Sequence, residues 1–154
     1  MYRTIARWAL LFALILQVPI APGSADSTNT TAGTVDNIAI QGYDTVAYFT
    51  VGKPVKGSSE FEVLFDDAKW RFANASHKAM FTADPDRYMP QFGGSCANSM
   101  ARGVSVPANP ELWVIVDGKL YMVAGDQDDL DEWKTHFAEY VKAADKIWAE
   151  RAYK

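Results

Sequence analysis

Residues 112–124, with the sequence LWVIVDGKLYMVA, constrain the fold more than any other segment. Two runs rich in β-branched, aromatic and other apolar residues flank the pair Asp117–Gly118. Aspartate followed by glycine readily adopts the two positive φ values of a tight two-residue turn. The segment therefore predicts a β-hairpin, and a lone hairpin needs a packing partner to be stable in water.

Residues 127–152 provide such a partner. Their apolar residues recur at intervals of three and four, at Leu130, Trp133, Phe137, Val141, Ala144 and Trp148. This is the period of an α-helix with one buried face. Acidic and basic residues occupy the opposite face. We therefore predict one long amphipathic C-terminal helix whose apolar stripe packs on the sheet.

A second hairpin is predicted nearer the middle of the chain. Residues 60–65 alternate in polarity, residues 66–68 form a turn, and residues 69–73 return as a second strand.

Short helices should follow this hairpin. Asn74 can cap a helix over residues 75–83, and Asp84 can cap another with a proline at its first position. Ser95 can cap a third helix, which runs to Arg102 and stops at the glycine after it. These elements predict one compact α+β domain with β-hairpins packed against short helices and a long C-terminal amphipathic helix.

The N-terminal residues predict export. Residues 1–25 combine two arginines, an apolar run and small residues before a possible cleavage site, as a secretory signal peptide does. Residues 26–37 are polar and predict a flexible linker, so the domain should span residues 38–153. We expect a periplasmic or secreted protein without stable membrane insertion after signal cleavage; an uncleaved N-terminal anchor is the alternative.

Charge and cysteine content exclude some classes of function. The net charge of the chain is −4, and a surface this acidic repels phosphate backbones, so we expect no nucleic-acid partner. The single cysteine, Cys96, cannot form an internal disulfide. Its thiol is therefore buried, bound to something, or paired with another chain.

Cys96 also has neighbours that could complete a metal site. With Ser95 as the cap, Cys96 lies in the first helical turn, where free amides and the helix dipole stabilise a thiolate. Met100 follows one turn later, and His77 and Met80 lie three residues apart on the preceding helix. Thiolate, thioether and imidazole favour a soft metal such as monovalent copper. Packing of the thiol in the core, or redox or covalent chemistry, are the alternatives.

An aromatic pocket is a second possibility. Asp44 lies between Tyr43 and Tyr48 in the segment GYDTVAYF, and it could cap a short helix or line a pocket with these two tyrosines. In this interpretation a small molecule or haem-type ligand binds among aromatic side chains, namely Tyr43, Tyr48, Phe49, Trp70 and Phe92. Motifs of serine hydrolases, zinc proteases and phosphate loops are absent from the sequence, and a cysteine-dependent enzyme remains open.

Several motifs together resemble a known family. GYDTVAYF at residues 42–49, GKPVKGS at 52–58, DPDRYMPQFGGSCA at 84–97 and DGKLY at 117–121 are similar to those of secreted YHS-domain proteins. The resemblance implies a small α+β module, similar to TRASH-type metal-binding domains, that occurs beside heavy-metal transport ATPases and binds metal, copper especially. Cys96 matches the cysteine after the double glycine, and His77 falls in the helix before it. The Tyr-His-Ser run and the multiple cysteines of TRASH modules are absent.

These observations predict an exported, non-catalytic module that buffers a soft metal or hands it to a protein partner. The candidate cofactor is a copper ion, with Cys96 as the main ligand and His77, Met80 or Met100 assisting. The alternatives are a small-molecule or haem-type binder, with Tyr43, Asp44 and Tyr48 at its site, and a cysteine-dependent enzyme.

Overall fold

Two antiparallel hairpins and six α-helices form the part of the protein that the computed structural model describes, residues 37–152. The predicted signal peptide and all of the predicted linker except Asn37 lie outside these residues. The described residues all belong to one compact unit. The predicted α+β fold is confirmed.

The elements follow one another in a simple order. The strands are β1 (Ser58–Phe65), β2 (Ala68–Phe72), β3 (Trp113–Val116) and β4 (Lys119–Met122). The helices are α1 (Thr45–Thr50), α2 (Ala75–Ala83), α3 (Pro85–Tyr88), α4 (Ala97–Ala101), α5 (Gln127–Thr135) and α6 (Phe137–Ala152). Two short 3₁₀ segments, Ala39–Gly42 and Gln91–Gly94, complete the chain path.

The β3–β4 hairpin closes across its predicted turn, whereas the β1–β2 turn is one residue shorter than predicted, because Ala68 already pairs with Phe65. Val116 pairs with Lys119 across Asp117–Gly118, whose φ values are 52° and 74°. Positive φ at both central residues is the geometry that matches the twist of the flanking strands. The β1–β2 hairpin closes in the same way across Asp66–Asp67, with φ values of 49° and 54°.

Apolar side chains form two clusters. The Trp133 core contains that side chain with Tyr121 of β4 and buried residues of α4, α5 and α6. The Phe81 core surrounds Phe81 of α2, whose ring lies 5.2 Å from that of Trp70 and 5.1 Å from that of Phe72. Helix α1 belongs to both clusters, because it contributes Tyr48 to the Trp133 core and Val46 to the Phe81 core.

The predicted continuous C-terminal helix is wrong in one respect, because it breaks at His136. His136 has φ −107° and ψ 19°, outside the α-helical basin, and it ends α5. Its carbonyl oxygen then accepts the amides of Glu139 and Tyr140, which start α6. The break lets Phe137 pack edge-on against both Trp133 and Tyr121, at ring distances of 5.0 and 5.3 Å.

Two further details differ from the prediction. Helix α6 packs chiefly against α4 rather than on a sheet, and Trp148, expected in the buried stripe, is 41% exposed. The cap of α4 is Cys96 rather than Ser95, because Ser95 is extended and pairs with Pro107. The predicted caps Asn74 and Asp84 are confirmed.

No helix within residues 37–152 has both the length and the apolar character that a membrane span requires.

Gly57 allows a close backbone approach that a side chain would prevent. Its amide donates to the carbonyl oxygen of Gly42 at 2.8 Å, and a Cβ there would overlap the backbone carbonyl of Arg71. We expect Gly57→Ala to lower the free energy of unfolding by about 2 kcal/mol or more, because β2 must shift to make room. Urea denaturation measures the change.

Gly52→Ala is the control. A Cβ at Gly52 meets nothing within 4 Å, although φ is +70°, so only backbone strain of about 1 kcal/mol is expected. Equal losses for the two variants would contradict the close approach at Gly57.

Candidate functional site

The carboxylate of Asp44 is fully buried and bonded on both oxygens. Oδ1 accepts the amides of Val46 and Ala47 at 2.9 and 3.3 Å, which caps α1. Oδ2 accepts the amide of Ala73 at 2.8 Å and lies 2.6 Å from Nδ1 of His77. The predicted cap is confirmed, and the same side chain also joins α1 to the connection between β2 and α2.

His77 is oriented by this carboxylate. Because an ionised carboxylate only accepts hydrogen bonds, the ring donates through Nδ1 and Nε2 is left on the opposite side. Nε2 lies 3.3 Å from Oγ1 of Thr50, and the His77 side chain is 12% exposed. An imidazole held in this way can act as a base or as a metal ligand through Nε2. The sequence separation of 33 residues between Asp44 and His77 explains why no local pattern indicated the pair.

Cys96 lies in the Trp133 core. Its side chain is 2% exposed, and Sγ accepts the amide of Ser99 at 3.5 Å. One helix amide therefore faces the sulfur, and Cys96 is at the cap position rather than in the predicted first turn. Burial of this depth favours packing of the thiol and gives a cysteine-dependent activity no support.

The four predicted metal ligands lie in different parts of the structure. Cys96 and Met100 are buried in the Trp133 core, and Met80 packs against the Phe81 core. His77 contacts Asp44 and Thr50 instead of sulfur. Within residues 37–152, no group of three or more His, Cys, Asp or Glu side chains could hold a metal ion. The ligand roles of these residues stay a prediction.

Tyr43 and Tyr48 both bind protein groups. The Tyr43 hydroxyl donates to Glu111 at 2.7 Å, and this hydrogen bond, followed by desolvation, raises the pKa of Tyr43. The Tyr48 hydroxyl donates to the carbonyl oxygen of Pro110 at 2.9 Å, and burial raises the pKa of Tyr48 well above its ordinary value. Tyr48 therefore stays a neutral donor at physiological pH.

A cleft of about 570 Å³ lies where the two cores meet. The Phe81 core contributes Ala39, Ala68 and Trp70 to its wall, and the Trp133 core contributes Phe92 and Ala108. The rest of the lining comes from the 3₁₀ segments, the loop around Ser105, and single residues of neighbouring elements: Asn37, Ile38, Ile40, Gln41, Asp66, Met89, Gly93, Gly94, Ser95, Ser105, Pro107 and Trp148. Of the five predicted pocket aromatics, Trp70 and Phe92 line this cleft, and Tyr43, Tyr48 and Phe49 lie outside its lining.

Backbone in the left-handed region forms two walls of the cleft. Ile40 and Gln41 have φ values of 37° and 54°, and Phe92 has 58°. Left-handed backbone is costly for non-glycine residues and most unusual for a β-branched one such as Ile40. In both 3₁₀ segments these residues precede a glycine that also has positive φ.

These two turns contact each other. A Cβ on Gly94 would lie 2.7 Å from Cγ2 of Ile40, so only glycine fits there. Nε2 of Gln41 donates to the carbonyl oxygen of Ala108 at 3.0 Å, and the Ala108 amide donates to that of Gly94 at 3.2 Å. The three chain segments around the cleft are thus bonded to one another.

Trp148 forms one side of the cleft. Its ring meets that of Phe92 edge-on at 6.1 Å and lies over Gly93, where a Cβ would be 3.3 Å away. Trp148 also lines a smaller hollow of about 270 Å³. Sequence reasoning assigned Trp148 to the buried stripe and overlooked Ile40 and Gln41. The glycine that follows each run of residues with positive φ is the sequence signal that could have located these turns.

Comparison with known proteins finds no matching family model, no similar curated protein and no similar solved structure.

Replacement of Asp44 by asparagine tests the buried carboxylate. In Asp44→Asn an NH₂ group replaces one of the two carboxylate oxygens, and this group cannot accept hydrogen bonds. Either the two cap amides or the donors of Ala73 and His77 therefore lose their acceptor. We expect the free energy of unfolding to fall by about 3 kcal/mol, because buried donors lose their acceptor. Urea denaturation at neutral pH measures the loss.

Asp126→Asn is the matched control. Asp126 caps α5 on the exposed surface, where asparagine caps about as well as aspartate and a loss below about 0.5 kcal/mol is expected. A similar cost at both positions would show that Asp44 acts as a helix cap alone.

Proposed function

We propose that this protein is a non-catalytic binding module that holds a small organic molecule in the cleft between its two cores. A volume of about 570 Å³ falls within the ordinary range of small-molecule sites. Sites at the junction of packed units are common, because the two sides supply different chemical groups.

The observation that carries this proposal is the distribution of left-handed backbone. The six non-glycine residues with positive φ within residues 37–152 are Ile40, Gln41, Asp66, Asp67, Phe92 and Asp117. The three aspartates are explained by their hairpin turns. The other three belong to no hairpin, and all of them line the cleft. Such residues cost about 1–3 kcal/mol each and concentrate at ligand sites, where they fix the shape of the wall.

The lining also has the composition of a binding site. Trp148, which is 41% exposed, supplies aromatic surface, whereas Trp70 and Phe92 belong to the lining but are almost fully buried. Polar groups are few, among them the Gln41 amide and the hydroxyls of Ser95 and Ser105, which lie 2.9 Å apart. Apolar surface beside polar groups gives affinity from burial and orientation from hydrogen bonds.

The sequence supports an exported setting for this binding, through the predicted signal peptide. The resemblance to YHS-domain proteins agrees with a small α+β module, and it leaves the identity of the ligand open.

A planar neutral probe tests the cleft. We expect indole-3-acetamide at millimolar concentration to shift the amide resonances of Gly93, Gly94 and Ser105 in a two-dimensional NMR titration. Trp148→Ala should weaken binding about tenfold, because the probe loses a stacking surface.

Leu64→Ala provides the control, because Leu64 is also an exposed apolar residue and lies outside the lining. Its affinity for the probe should equal that of the unaltered protein. Absence of any cleft resonance among those that shift would reject the proposal.

Soft-metal binding is a second proposal, and the orientation of His77 favours it. Metal-binding histidines usually donate their other ring N–H to a carboxylate, a backbone carbonyl or water, and Asp44 supplies such an acceptor. In this proposal Nε2 of His77 coordinates monovalent copper, and Cys96, Met80 or Met100 assist after local rearrangement. The module would then buffer copper or hand it to a protein partner.

Competition between the protein and a chromophoric chelator for monovalent copper, without oxygen, tests this second function. We expect His77→Gln and Cys96→Ser each to lower the copper affinity at least about tenfold, because each removes a ligand.

His136→Gln is the control, since His136 is exposed at the junction of α5 and α6. An affinity that is the same in all three variants and the unaltered protein would remove the metal proposal and leave the cleft proposal intact.

A further inference from the structure

The cleft carries a charge of one sign only. Asp66 is the single ionisable side chain among the residues that line it, and no lysine, arginine or histidine belongs to that lining. Asp66 is exposed in the β1–β2 turn.

The smaller hollow that Trp148 lines repeats this pattern. Its lining shares Met89, Phe92, Gly93 and Trp148 with the cleft, and its single ionisable side chain is Asp86. Trp148 therefore lines two hollows that each carry one carboxylate and no cation.

Trp148 is held in a position suited to a cation. Its contacts with Phe92 and Gly93 fix the ring, and 41% of the residue stays exposed. The face of an indole attracts cations more strongly than that of any other aromatic side chain. A positive charge over this ring would be attracted by the indole and by the nearby carboxylates together.

The polar atoms of the cleft can accept hydrogen bonds from such a ligand. Gln41 uses its Nε2 group on the Ala108 carbonyl, so its side-chain carbonyl oxygen keeps its acceptor capacity. The paired hydroxyls of Ser95 and Ser105 leave further lone pairs. An ammonium or amidinium group needs acceptors of this kind and no donors.

We propose that the ligand of the cleft is an organic cation with a flat apolar body, an inference that rests on the proposed small-molecule function. The flat body packs on the exposed indole of Trp148, and the cationic nitrogen faces the Asp66 carboxylate. Anionic ligands are disfavoured, because no positive side chain in the lining would balance their charge. This includes haem-type molecules with two carboxylates.

Three probes that share one ring system and differ in charge test the inference. Tryptamine is a cation at neutral pH, indole-3-acetamide is neutral and indole-3-acetate is an anion. We expect tryptamine to bind about threefold to tenfold more tightly than the amide at low salt, and the acetate to bind more weakly than either. Amide shifts of Gly93, Gly94 and Ser105 give the dissociation constants.

Two matched substitutions test whether the Asp66 carboxylate causes the preference for tryptamine. Asp66→Asn should remove most of the preference for tryptamine and leave the affinity for the amide unchanged. Asp117→Asn makes the same change at the equivalent position of the other hairpin, outside the cleft lining, and should preserve the preference. Asparagine tolerates positive φ as aspartate does, so both variants should keep their turns.

The outcomes separate the two proposals. Acetate binding that equals or exceeds tryptamine binding, with shifts in the cleft, would overturn the inference about charge and leave the small-molecule function standing. An equal effect of the two aspartate substitutions would also overturn it, because net charge alone would then explain the preference. No cleft shift with any of the three probes would reject the small-molecule function itself.

Discussion

The buried carboxylate of Asp44 is the interaction on which the arrangement of the two cores depends. It fixes the start of α1 through two amides and ties that start to Ala73 and His77. Because α1 contributes side chains to both cores, a shift of its N-terminus would disturb both. A buried charge is costly unless each of its lone pairs is used. Four donors bond to the Asp44 carboxylate, and they come from segments that are far apart in sequence.

The cleft is a consequence of how the cores are joined. The two left-handed turns stand at the junction, and the contact between Gly94 and Ile40 holds them together. Their unfavourable backbone persists because packed side chains on both sides leave the chain no easier path. A site whose shape is set before binding loses less entropy when it binds a ligand. This links local strain to the proposed function.

The two functional proposals differ in how accessible their binding groups are. The thiol of Cys96 accepts one amide but is buried in the Trp133 core, whereas the oriented imidazole of His77 is partly exposed. The cleft, in contrast, already has volume, aromatic surface and acceptors in one place. The small-molecule proposal needs no rearrangement of the described residues, and the metal proposal does. For this reason the small-molecule proposal is preferred to the metal proposal.

The sequence by itself determined the local elements: the caps Asn74 and Asp84, the hairpin at Asp117–Gly118 and the helical period near the C-terminus. Each of these signals acts within a few residues, where backbone preference and hydrogen bonding suffice. Only the tertiary structure decided the break at His136, the pairing of Asp44 with His77 and the exposure of Trp148. These features arise from contacts between residues distant along the chain. Such contacts depend on how the two cores pack, and residue types and spacing contain no direct record of that packing.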